Sequence, residues 1–448
     1  MNLQTAPIED AIAAIGRGEI VVVVDERDRQ NDGRLILAAD AVTHEKIAFL
    51  VRHTSGLICS AITERRADEL ELPLMVARST ESQRTASAIT VDAVAGTTTG
   101  ISAHDRAATI RSLADPATRA VDLARPGHVQ LLRAADGGVL RRAGHTEAAV
   151  DLARLAGREP AGVLAEVVSA DGRSMARGAE LEAFASDHGL MLVTIADLIA
   201  YRRRRETLVH QVAKALLPTR AGEFTCYAYE AVLDHETHLA FVMGEPSAQK
   251  STLVRVHSEC LTGDVLRSLR CDCGEQLEQA MAQVAHAGAG VVVYLRGHEG
   301  RGIGIVHKLR AYALQDRGFD TVDANVALGL PIDGRDYGVA AQILLDLGVR
   351  RMRLLTNNPA KRDGLDGFGL EITGRVPLET RPTRENLSYL NTKRVRLGHL
   401  LNDPALRAPT GAARGRPPGS RAIPAVDSLG FASETGGLRG RDRGGRAS

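Results

Sequence analysis

Short, continuous runs of apolar residues alternate with helical patterns along most of this 448-residue chain. Such runs are typical of strands that are buried on both faces of a sheet. They occur in both halves of the sequence, at Ile20–Val24, Met191–Ile195, Gly290–Leu295 and Arg351–Thr356. Because strands alternate with helices, the sequence favours an α/β fold.

The segments between these runs have the spacing of helices. Apolar residues recur with helical periodicity at Ile47–Arg52, Ala148–Leu155, Arg310–Arg317 and Ala340–Leu347. Gly318 directly follows the third segment and is a helix stop signal.

The domain organisation follows from length and composition. A chain of this length accommodates two or three domains. The charge run Tyr201–Glu206 marks a natural break, and it is more typical of a linker or a helix end than of a phosphate site. We therefore predict two α/β domains in tandem, over residues 1–204 and 205–403, and a disordered C-terminal tail over 404–448. The tail is rich in Gly, Arg, Pro, Ala and Ser, and it cannot bury enough apolar surface to offset the entropy of ordering.

Composition argues against two classes of partner. The net charge is +1, tryptophan is absent and aromatic residues make up 3%, so a nucleic-acid surface is not expected. Arg-Gly pairs in the tail leave RNA contact as an alternative, although a solubilising tail is the simpler interpretation. The sequence has no run of eighteen apolar residues, so no membrane span is expected. The N-terminus lacks the pattern of a secretory signal, which predicts a cytoplasmic protein.

Three of the five cysteines, Cys260, Cys271 and Cys273, fall within fourteen residues. In a reducing compartment, clustered thiols favour metal binding or catalysis over disulfides. Three protein ligands leave the fourth tetrahedral position to water, which is typical of a catalytic zinc. The alternatives are a disulfide, which the spacing of Cys271 and Cys273 would strain, or three buried small side chains. We predict a zinc-assisted hydrolase.

Further motifs in the same half suit phosphate groups. Glu299–Gly304 (EGRGIG) lies between a predicted strand and a helix, where backbone N–H groups can bind an anion. Asp333 and Arg335 share one loop, and Thr356 and Lys361 follow another strand. Although a glycine-rich turn alone is weak evidence, cationic side chains in such turns together suggest several phosphates.

Taken in order, these motifs resemble GTP cyclohydrolase II over residues 208–402. The resemblance rests on Arg255–Asp264 (RVHSECLTGD), Leu269–Gly274 (LRCDCG), Glu299–Gly304, Arg310–Asp316 (RAYALQD) and Leu354–Pro359 (LLTNNP). It implies that GTP loses C8 as formate and releases pyrophosphate. The product, 2,5-diamino-6-(5-phospho-ribosylamino)pyrimidin-4(3H)-one, begins riboflavin biosynthesis.

The resemblance also implies roles for individual residues. Cys260, Cys271 and Cys273 would hold Zn²⁺, Asp333 would accept a proton, and Tyr312 would lie near the reacting ring. The implied GTP-binding residues are Arg255, Val256, His257, Ser258, Glu259, Gln276, Glu299, Gly300, Arg301, Thr321, Thr356 and Lys361. Mg²⁺ is expected on the GTP polyphosphate, and a homodimer is implied.

Arg335 matches the residue assigned in this family as nucleophile toward the α-phosphate. An arginine side chain stays protonated in proteins, so its nitrogens are poor nucleophiles. A bidentate clamp on phosphate is the alternative role for the same catalytic position.

The first half resembles 3,4-dihydroxy-2-butanone 4-phosphate synthase. The matching motifs are Thr98–Arg106 (TTGISAHDR), Arg125–Val129 (RPGHV), Arg142–Glu147 (RAGHTE) and Ala161–Glu166 (AGVLAE). The resemblance implies ribulose 5-phosphate as substrate and Mg²⁺ or Mn²⁺ as cofactor, and this domain order is that of bifunctional riboflavin-biosynthesis proteins. The implied site residues are Arg29, Gln30, Arg34, His128, Arg142, His145, Thr146 and Glu166.

Two loops of this half depart from the family pattern. Where the family reads DRENEGD, Asp28–Arg34 reads DRQNDGR, and Arg84–Ala88 departs from a second glycine-containing loop. Gln30 replaces a metal-binding Glu, and Arg34 brings a positive charge, so both changes oppose a divalent cation. We predict that synthase activity is absent or severely impaired and that the function is GTP cyclohydrolase II.

Other interpretations remain open. The protein could be fully bifunctional, with Asp32 and water replacing the lost ligand. The first domain could serve dimerisation and folding, or Arg34 could bind a different anion. A non-catalytic GTP-binding scaffold is a further hypothesis, against which the complete motif set of the second half argues.

Overall fold

The protein is described from a computed structural model, which divides after Leu208 into two compact units. The structure describes residues 3–25, 32–77, 79–80, 85–331, 333–335, 337–363, 365 and 368–406. Arg29, Gln30 and Arg84 therefore lie outside the described residues. The same holds for the predicted tail beyond Leu406, whereas Pro404–Leu406 forms a 3₁₀ turn.

The N-terminal unit is built on a mixed seven-stranded sheet. In chain order its strands are β1 (Val21–Val24), β2 (Gly33–Ala38), β3 (Cys59–Thr63), β4 (Ser87–Ala93), β5 (Leu123–Ala134), β6 (Ala161–Glu166) and β7 (Met191–Thr194). Their order across the sheet is β4-β5-β3-β6-β2-β1-β7. The pairs β1–β7 and β3–β5 are parallel, and the other neighbours are antiparallel.

Seven helices accompany this sheet, and apolar cores lie on both of its faces. The helices are α1 (Ile8–Gly16), α2 (His44–His53), α3 (Glu64–Glu69), α4 (Ala103–Ala114), α5 (His145–Leu155), α6 (Ala179–Asp187) and α7 (Ile195–Arg205). Successive residues of β1 point to opposite faces, so Val22 and Val24 pack in one cluster with α2 and α4. Val21 and Val23 pack in the other cluster with α1, α5 and α7.

The C-terminal unit has its own seven-stranded sheet. Its strands are β8 (Val209–Thr219), β9 (Gly222–Ala231), β10 (Thr237–Met243), β11 (Thr252–Ser258), β12 (Gly290–Leu295), β13 (Arg351–Leu355) and β14 (Glu371–Val376). Their order is β14-β13-β11-β12-β10-β9-β8. The pairs from β14 to β12 are parallel, and those from β12 to β8 are antiparallel.

Buried side chains again cover both faces of the sheet. The helices are α8 (Leu261–Asp264), α9 (Cys273–Ala287), α10 (Glu299–Gly302), α11 (Gly304–Gln315), α12 (Thr321–Ala327), α13 (Gly338–Asp346), α14 (Ala360–Asp363) and α15 (Leu387–Arg396). In β12, Val291 and Val293 join a cluster with α13, whereas Val292 packs with α9.

The predicted α/β class and tandem arrangement are confirmed, with small errors at element ends. Gly290–Leu295 is a strand as predicted, but Ile20 precedes β1, Ile195 begins α7, and Thr356 follows β13. The run around Arg202 is a helix end, where Arg202 is buried and its guanidinium lies 2.7 Å from Asp151. Among the described residues, no helix is both long and apolar enough to span a membrane.

Candidate active site and metal centre

Three neighbouring parallel strands position the candidate site of the C-terminal unit. Strands β11, β12 and β13 lie side by side, so their carboxyl ends meet at one edge of the sheet. Ligands of open α/β sheets bind at such an edge. The residues that follow these strands, including Glu259, His298 and Thr356, line a cavity there.

The three clustered cysteines meet at this cavity. The sulphur atoms of Cys260, Cys271 and Cys273 all lie within 4.8 Å of one another, and the Cys260 and Cys271 sulphurs are 3.7 Å apart. Two thiolates on one tetrahedral zinc, each about 2.3 Å from the ion, are separated by about 3.8 Å. Gly263 makes room for this arrangement, because a Cβ there would lie 2.7 Å from the Cys271 sulphur. The cluster therefore fits a three-thiolate metal site.

The thiols perturb one another strongly. Hydrogen bonds from Cys271 and Cys273, with the nearby charge of Lys308, lower the pKa of Cys260. The pKa of Cys271 is raised to about 11, first by its hydrogen bond with Cys260. Without a metal one thiolate is favoured over three, since adjacent negative charges repel. A bound cation would reverse this balance.

Lys308 connects the cysteine cluster with the glycine-rich turn. Its ammonium lies 3.1 Å from the Cys260 sulphur and 2.5 Å from Glu299 Oε1. The second oxygen of Glu299 accepts a hydrogen bond from the backbone N–H of Leu261 at 2.6 Å. The turn itself requires left-handed backbone at Gly300 and also at Arg301, whose φ is 67°. Such strain in a non-glycine residue is concentrated at functional sites.

A buried histidine–aspartate pair supports the same strand end. His257 Nε2 lies 3.0 Å from Asp264 Oδ1, and the Tyr294 hydroxyl donates to Asp264 Oδ2 at 3.0 Å. Burial lowers the pKa of His257 despite the carboxylate beside it. Asp264 also accepts from the backbone N–H of Cys260, so this network holds the first cysteine in place.

Asp333 and Arg335 form a close ion pair at the rim of the cavity. Arg335 Nη2 and Asp333 Oδ2 are 2.5 Å apart, and Arg335 Nη1 lies 3.5 Å from the Ser258 hydroxyl. Burial acts to raise the pKa of Asp333, but hydrogen bonds and charge from Arg335 outweigh it and lower the pKa. The pKa of Arg335 is raised by Asp333 against the effect of burial. Both groups are therefore ionised near neutral pH.

Other cations are buried in the wall of the cavity. Burial is the largest cause that lowers the pKa of Arg255, to about 10. Burial, followed by repulsion from Arg255 and Arg335, holds the pKa of Lys361 well below its usual value. The Lys361 ammonium donates to the carbonyl of Val256 at 2.7 Å. An anionic ligand would relieve this concentration of positive charge.

Most of the predicted GTP-site residues line the cavity, with three exceptions. Val256 contributes its carbonyl to Lys361, Glu299 binds Lys308, and Asp333 binds Arg335, but none of the three is part of the lining. The Val256 carbonyl and the side chains of Glu299 and Asp333 support neighbouring residues instead. The predicted residues that line the cavity are Arg255, His257, Ser258, Glu259, Cys260, Cys271, Cys273, Gln276, Gly300, Arg301, Tyr312, Thr321, Arg335, Thr356 and Lys361.

The sequence-based prediction missed several lining residues. Lys308 precedes Tyr312 by one helical turn, so helical spacing alone could have indicated it. Asn357 and Asn358 lie inside a motif that was recognised. Tyr389, Lys393 and His399 are distant in sequence from every motif, and no local pattern marks them.

The N-terminal unit has a second cavity, lined by five of the eight predicted synthase residues, namely Arg34, Arg142, His145, Thr146 and Glu166. Arg34 and Glu166 are directly opposite each other on β2 and β6, and Arg34 Nη2 lies 2.5 Å from Glu166 Oε1. His145 Nε2 lies 3.2 Å from the Val23 carbonyl oxygen. Burial, and then the charge of Arg34, lowers the pKa of His145 to about 3.

The described lining of this cavity contains four carboxylate or imidazole side chains, which are types that can ligate a divalent cation, namely Asp25, Asp32, His145 and Glu166. Asp32 is paired with Arg177 at 2.8 Å. Among the residues that the structure describes, a group of three metal-ligating side chains occurs at the three cysteines and not here. His128 was predicted in this site, but it lies outside the lining and binds Asp92 through Nδ1 at 2.7 Å.

Comparisons with known proteins agree with the two units. The family model of 3,4-dihydroxy-2-butanone 4-phosphate synthase matches residues 9–201, and that of GTP cyclohydrolase II matches residues 210–377. The riboflavin biosynthesis protein RibBA of Salinispora arenicola is 60% identical over 407 residues, which cover 91% of this chain and 97% of the relative. RibBA of Nocardia farcinica is 59% identical over 395 residues, or 88% of this chain and 95% of the relative.

A solved structure is similar over most of the chain. RibBX from A. baumannii, a two-domain 3,4-dihydroxy-2-butanone 4-phosphate synthase, has a TM-score of 0.65 and 36% sequence identity. The match covers 84% of this chain and 100% of the RibBX chain. These findings confirm the family that the motifs predicted. The chain therefore belongs to the RibBA family of riboflavin biosynthesis proteins and carries a 3,4-dihydroxy-2-butanone 4-phosphate synthase domain followed by a GTP cyclohydrolase II domain.

Proposed function

We propose that the C-terminal unit hydrolyses GTP to formate, pyrophosphate and 2,5-diamino-6-(5-phospho-ribosylamino)pyrimidin-4(3H)-one. The observation that carries this proposal is the meeting of three cysteine sulphurs with a cation-lined cavity. A three-thiolate site leaves one coordination position open, and buried cations favour a polyphosphate. No other pair of features in the described residues combines a metal site with an anion site.

Cys260, Cys271 and Cys273 would hold the zinc. When bound, zinc supplies a Lewis acid and lowers the pKa of water to about 7. Lys308 donates to the Cys260 sulphur and to Glu299, so it holds the first ligand against the glycine-rich turn. Such supporting contacts orient metal ligands and tune the metal.

Arg335 binds phosphate, in our proposal, rather than attacking it. Its raised pKa keeps the guanidinium protonated, and a protonated guanidinium is a donor without a free electron pair. Asp333 holds this guanidinium through two oxygens, at 2.9 and 2.5 Å. The ionised carboxylate of Asp333 can accept a proton when the substrate displaces Arg335 from it.

Tyr312 and the cations Arg255 and Lys361 complete the arrangement. The Tyr312 hydroxyl lies 3.4 Å from Thr262 Oγ1, and Thr262 is also bonded to Lys308. Tyr312 therefore stands beside the metal ligands, where it can orient the base of the nucleotide. Mg²⁺ on the polyphosphate, a homodimer and a cytoplasmic location remain predictions.

The experiment is a turnover assay with the purified full chain, GTP, zinc and magnesium. Equal amounts of formate and pyrophosphate are expected per GTP consumed. Pyrophosphate without formate would exclude ring opening and leave only phosphate hydrolysis. GTP binding without any turnover would instead favour the scaffold hypothesis.

A second candidate function is synthesis of 3,4-dihydroxy-2-butanone 4-phosphate by the N-terminal unit. The family match over residues 9–201 and the RibBA relatives favour full bifunctionality over our prediction of an inactive first domain. The ion pair of Arg34 with Glu166 instead supports the hypothesis that the first domain is inactive. The same preparation supplied with ribulose 5-phosphate decides between the two hypotheses.

A further inference from the structure

Part of the cavity wall lies beyond the region that the GTP cyclohydrolase II model matches. That match ends at residue 377, whereas α15 and the turn after it, residues 387–400, follow later in the chain. We call residues 387–400 the C-terminal strap. Three of its side chains, Tyr389, Lys393 and His399, line the cavity. The strap is therefore part of the site.

The strap contacts two other parts of the unit, namely the loop that follows β13 and the helix α12. The backbone N–H of Leu400 donates to the carbonyl of Asn357 at 2.8 Å. The Arg396 guanidinium pairs with Asp323 at 2.7 Å. Because Asn357 and the helix that begins at Thr321 also contribute to the cavity, these contacts join the strap to the site.

The most buried contact of the strap reaches the metal loop. Lys393 Nζ lies 2.6 Å from Asp272 Oδ1, and both residues are buried, with 8% and 1% of their surface exposed. Asp272 stands between Cys271 and Cys273 in sequence. A buried carboxylate beside two thiolates is unfavourable unless a cation compensates it. Lys393 supplies this cation.

Two further hydrogen bonds link Asp272 to residues of the cavity wall. The second oxygen of Asp272 accepts from Gln276 Nε2 at 2.6 Å, and Gln276 Oε1 accepts from Arg255 Nη2 at 2.7 Å. Arg255 Nε is buried without a partner among the described residues, so the guanidinium retains a donor for a ligand. Lys393, Asp272, Gln276 and Arg255 thus form a continuous chain of polar contacts.

We propose that Lys393 is a positioning residue of the C-terminal site. It holds Asp272, and through Asp272 it orients the Cys271–Cys273 loop and the Gln276 and Arg255 side chains. The inference deepens the proposed function, since it assigns the strap a role in retaining zinc and binding GTP.

The test compares Lys393→Met with Lys393→Arg in the full chain. Arg394→Met is the matched control, because the Arg394 side chain bonds Asn391 within the same helix at 3.1 Å. Zinc release to an excess of chelator is measured, together with kcat and KM for GTP. Lys393→Met should release zinc about tenfold faster and raise the KM for GTP by about tenfold. Loss of a supporting contact at a metal site typically costs about 10- to 100-fold, and we expect the lower end of that range. Lys393→Arg retains the cation and should recover part of the loss, whereas Arg394→Met should stay near the unmodified protein.

A double variant, Asp272→Asn with Lys393→Met, keeps the test decisive if the single variant folds poorly. Removing both charges leaves no unpaired buried ion, so the double variant should release zinc more slowly than Lys393→Met. Zinc release and KM at the unmodified level in Lys393→Met, or in the double variant where the single one does not fold, would overturn the inference. If the unmodified protein fails to turn over GTP, the proposed function fails, and zinc release alone decides the role of Lys393.

Discussion

The two cavities of this chain differ in how their cationic side chains are paired. In the N-terminal cavity, carboxylates face arginines directly, as Glu166 faces Arg34 and Glu147 faces Arg142. In the C-terminal cavity, Arg335 and Lys308 are also paired with carboxylates. Arg255 and Lys361, in contrast, donate to backbone carbonyls and have no direct ion pair among the described residues. Two arginines of the first cavity are thus paired with carboxylates, whereas the second cavity keeps two buried cations without such a pair, beside a cluster of three cysteines.

Arg34 shows how a regular strand accommodates a charged side chain at a cavity. Arg34 occupies a regular position in β2, with its backbone paired to β6. The strand tolerates arginine because its side chain finds Glu166 across the sheet. The Glu166 carboxylate in this cavity therefore accepts directly from a guanidinium.

The largest expected effect is loss of a cysteine ligand. Cys271→Ser should lower GTP turnover by at least about a hundredfold and reduce bound zinc, because the hydroxyl is a poor substitute for a thiolate. Metal content and formate release measure both effects. Cys226→Ser is the control, since Cys226 lies in β9 outside the cavity. Unchanged turnover in Cys271→Ser would remove the basis for the contrast between the cavities.

A smaller loss is expected at the Asp333 carboxylate. Asp333→Asn should lower kcat by about a hundredfold, the lower range for a lost acid–base group. KM should change little if Arg335 still binds phosphate. Steady-state kinetics separate the two parameters. An unchanged kcat with a raised KM would instead make Asp333 a binding residue that only orients Arg335.

Acidic residues introduced at Gln30 and Arg34 test whether these two positions limit metal binding and synthase turnover in the N-terminal unit. Gln30→Glu with Arg34→Asp should raise Mn²⁺ affinity and synthase turnover by about tenfold, because two added carboxylates and a released Glu166 favour a divalent cation. Arg119→Asp, which makes the same exchange as Arg34→Asp at an exposed position of this unit, controls for that charge reversal. If the unmodified protein already turns over ribulose 5-phosphate rapidly and the double variant gains nothing, Arg34 does not limit the site.

An effect of a different kind concerns stability at acidic pH. The pKa of His145 is about 3 in the folded protein, below its usual value of 6.5, so acid protonates the unfolded state first. Stability of the N-terminal unit should therefore fall as pH decreases from 6.5 toward 3, by at most about 1.4 kcal/mol per pH unit. Thermal melting across this range measures the slope. His145→Asn should flatten it, and an unchanged slope would assign the effect to other groups.

The fold class and much of the C-terminal site were predictable from local patterns. Continuous apolar runs identified β1 and β12 because strands covered on both faces need no polar residues. The cysteine spacing predicted the cluster of three thiols, which the structure brings within 4.8 Å of one another. Element ends such as Ile195 were wrong, since the apolar run continues into α7 and only hydrogen bonding separates strand from helix.

Sequence alone determined which side chains are present, and with them the family, the candidate cysteine ligands and the positive charge of Arg34. Only the tertiary structure decided which of these groups meet. It brings Lys393 to Asp272 across 121 positions and opposes Arg34 to Glu166 across 132. It also leaves His128 outside the N-terminal cavity lining. Such contacts depend on strand order and helix packing, which no local pattern records, because distant segments become neighbours only when the core is buried.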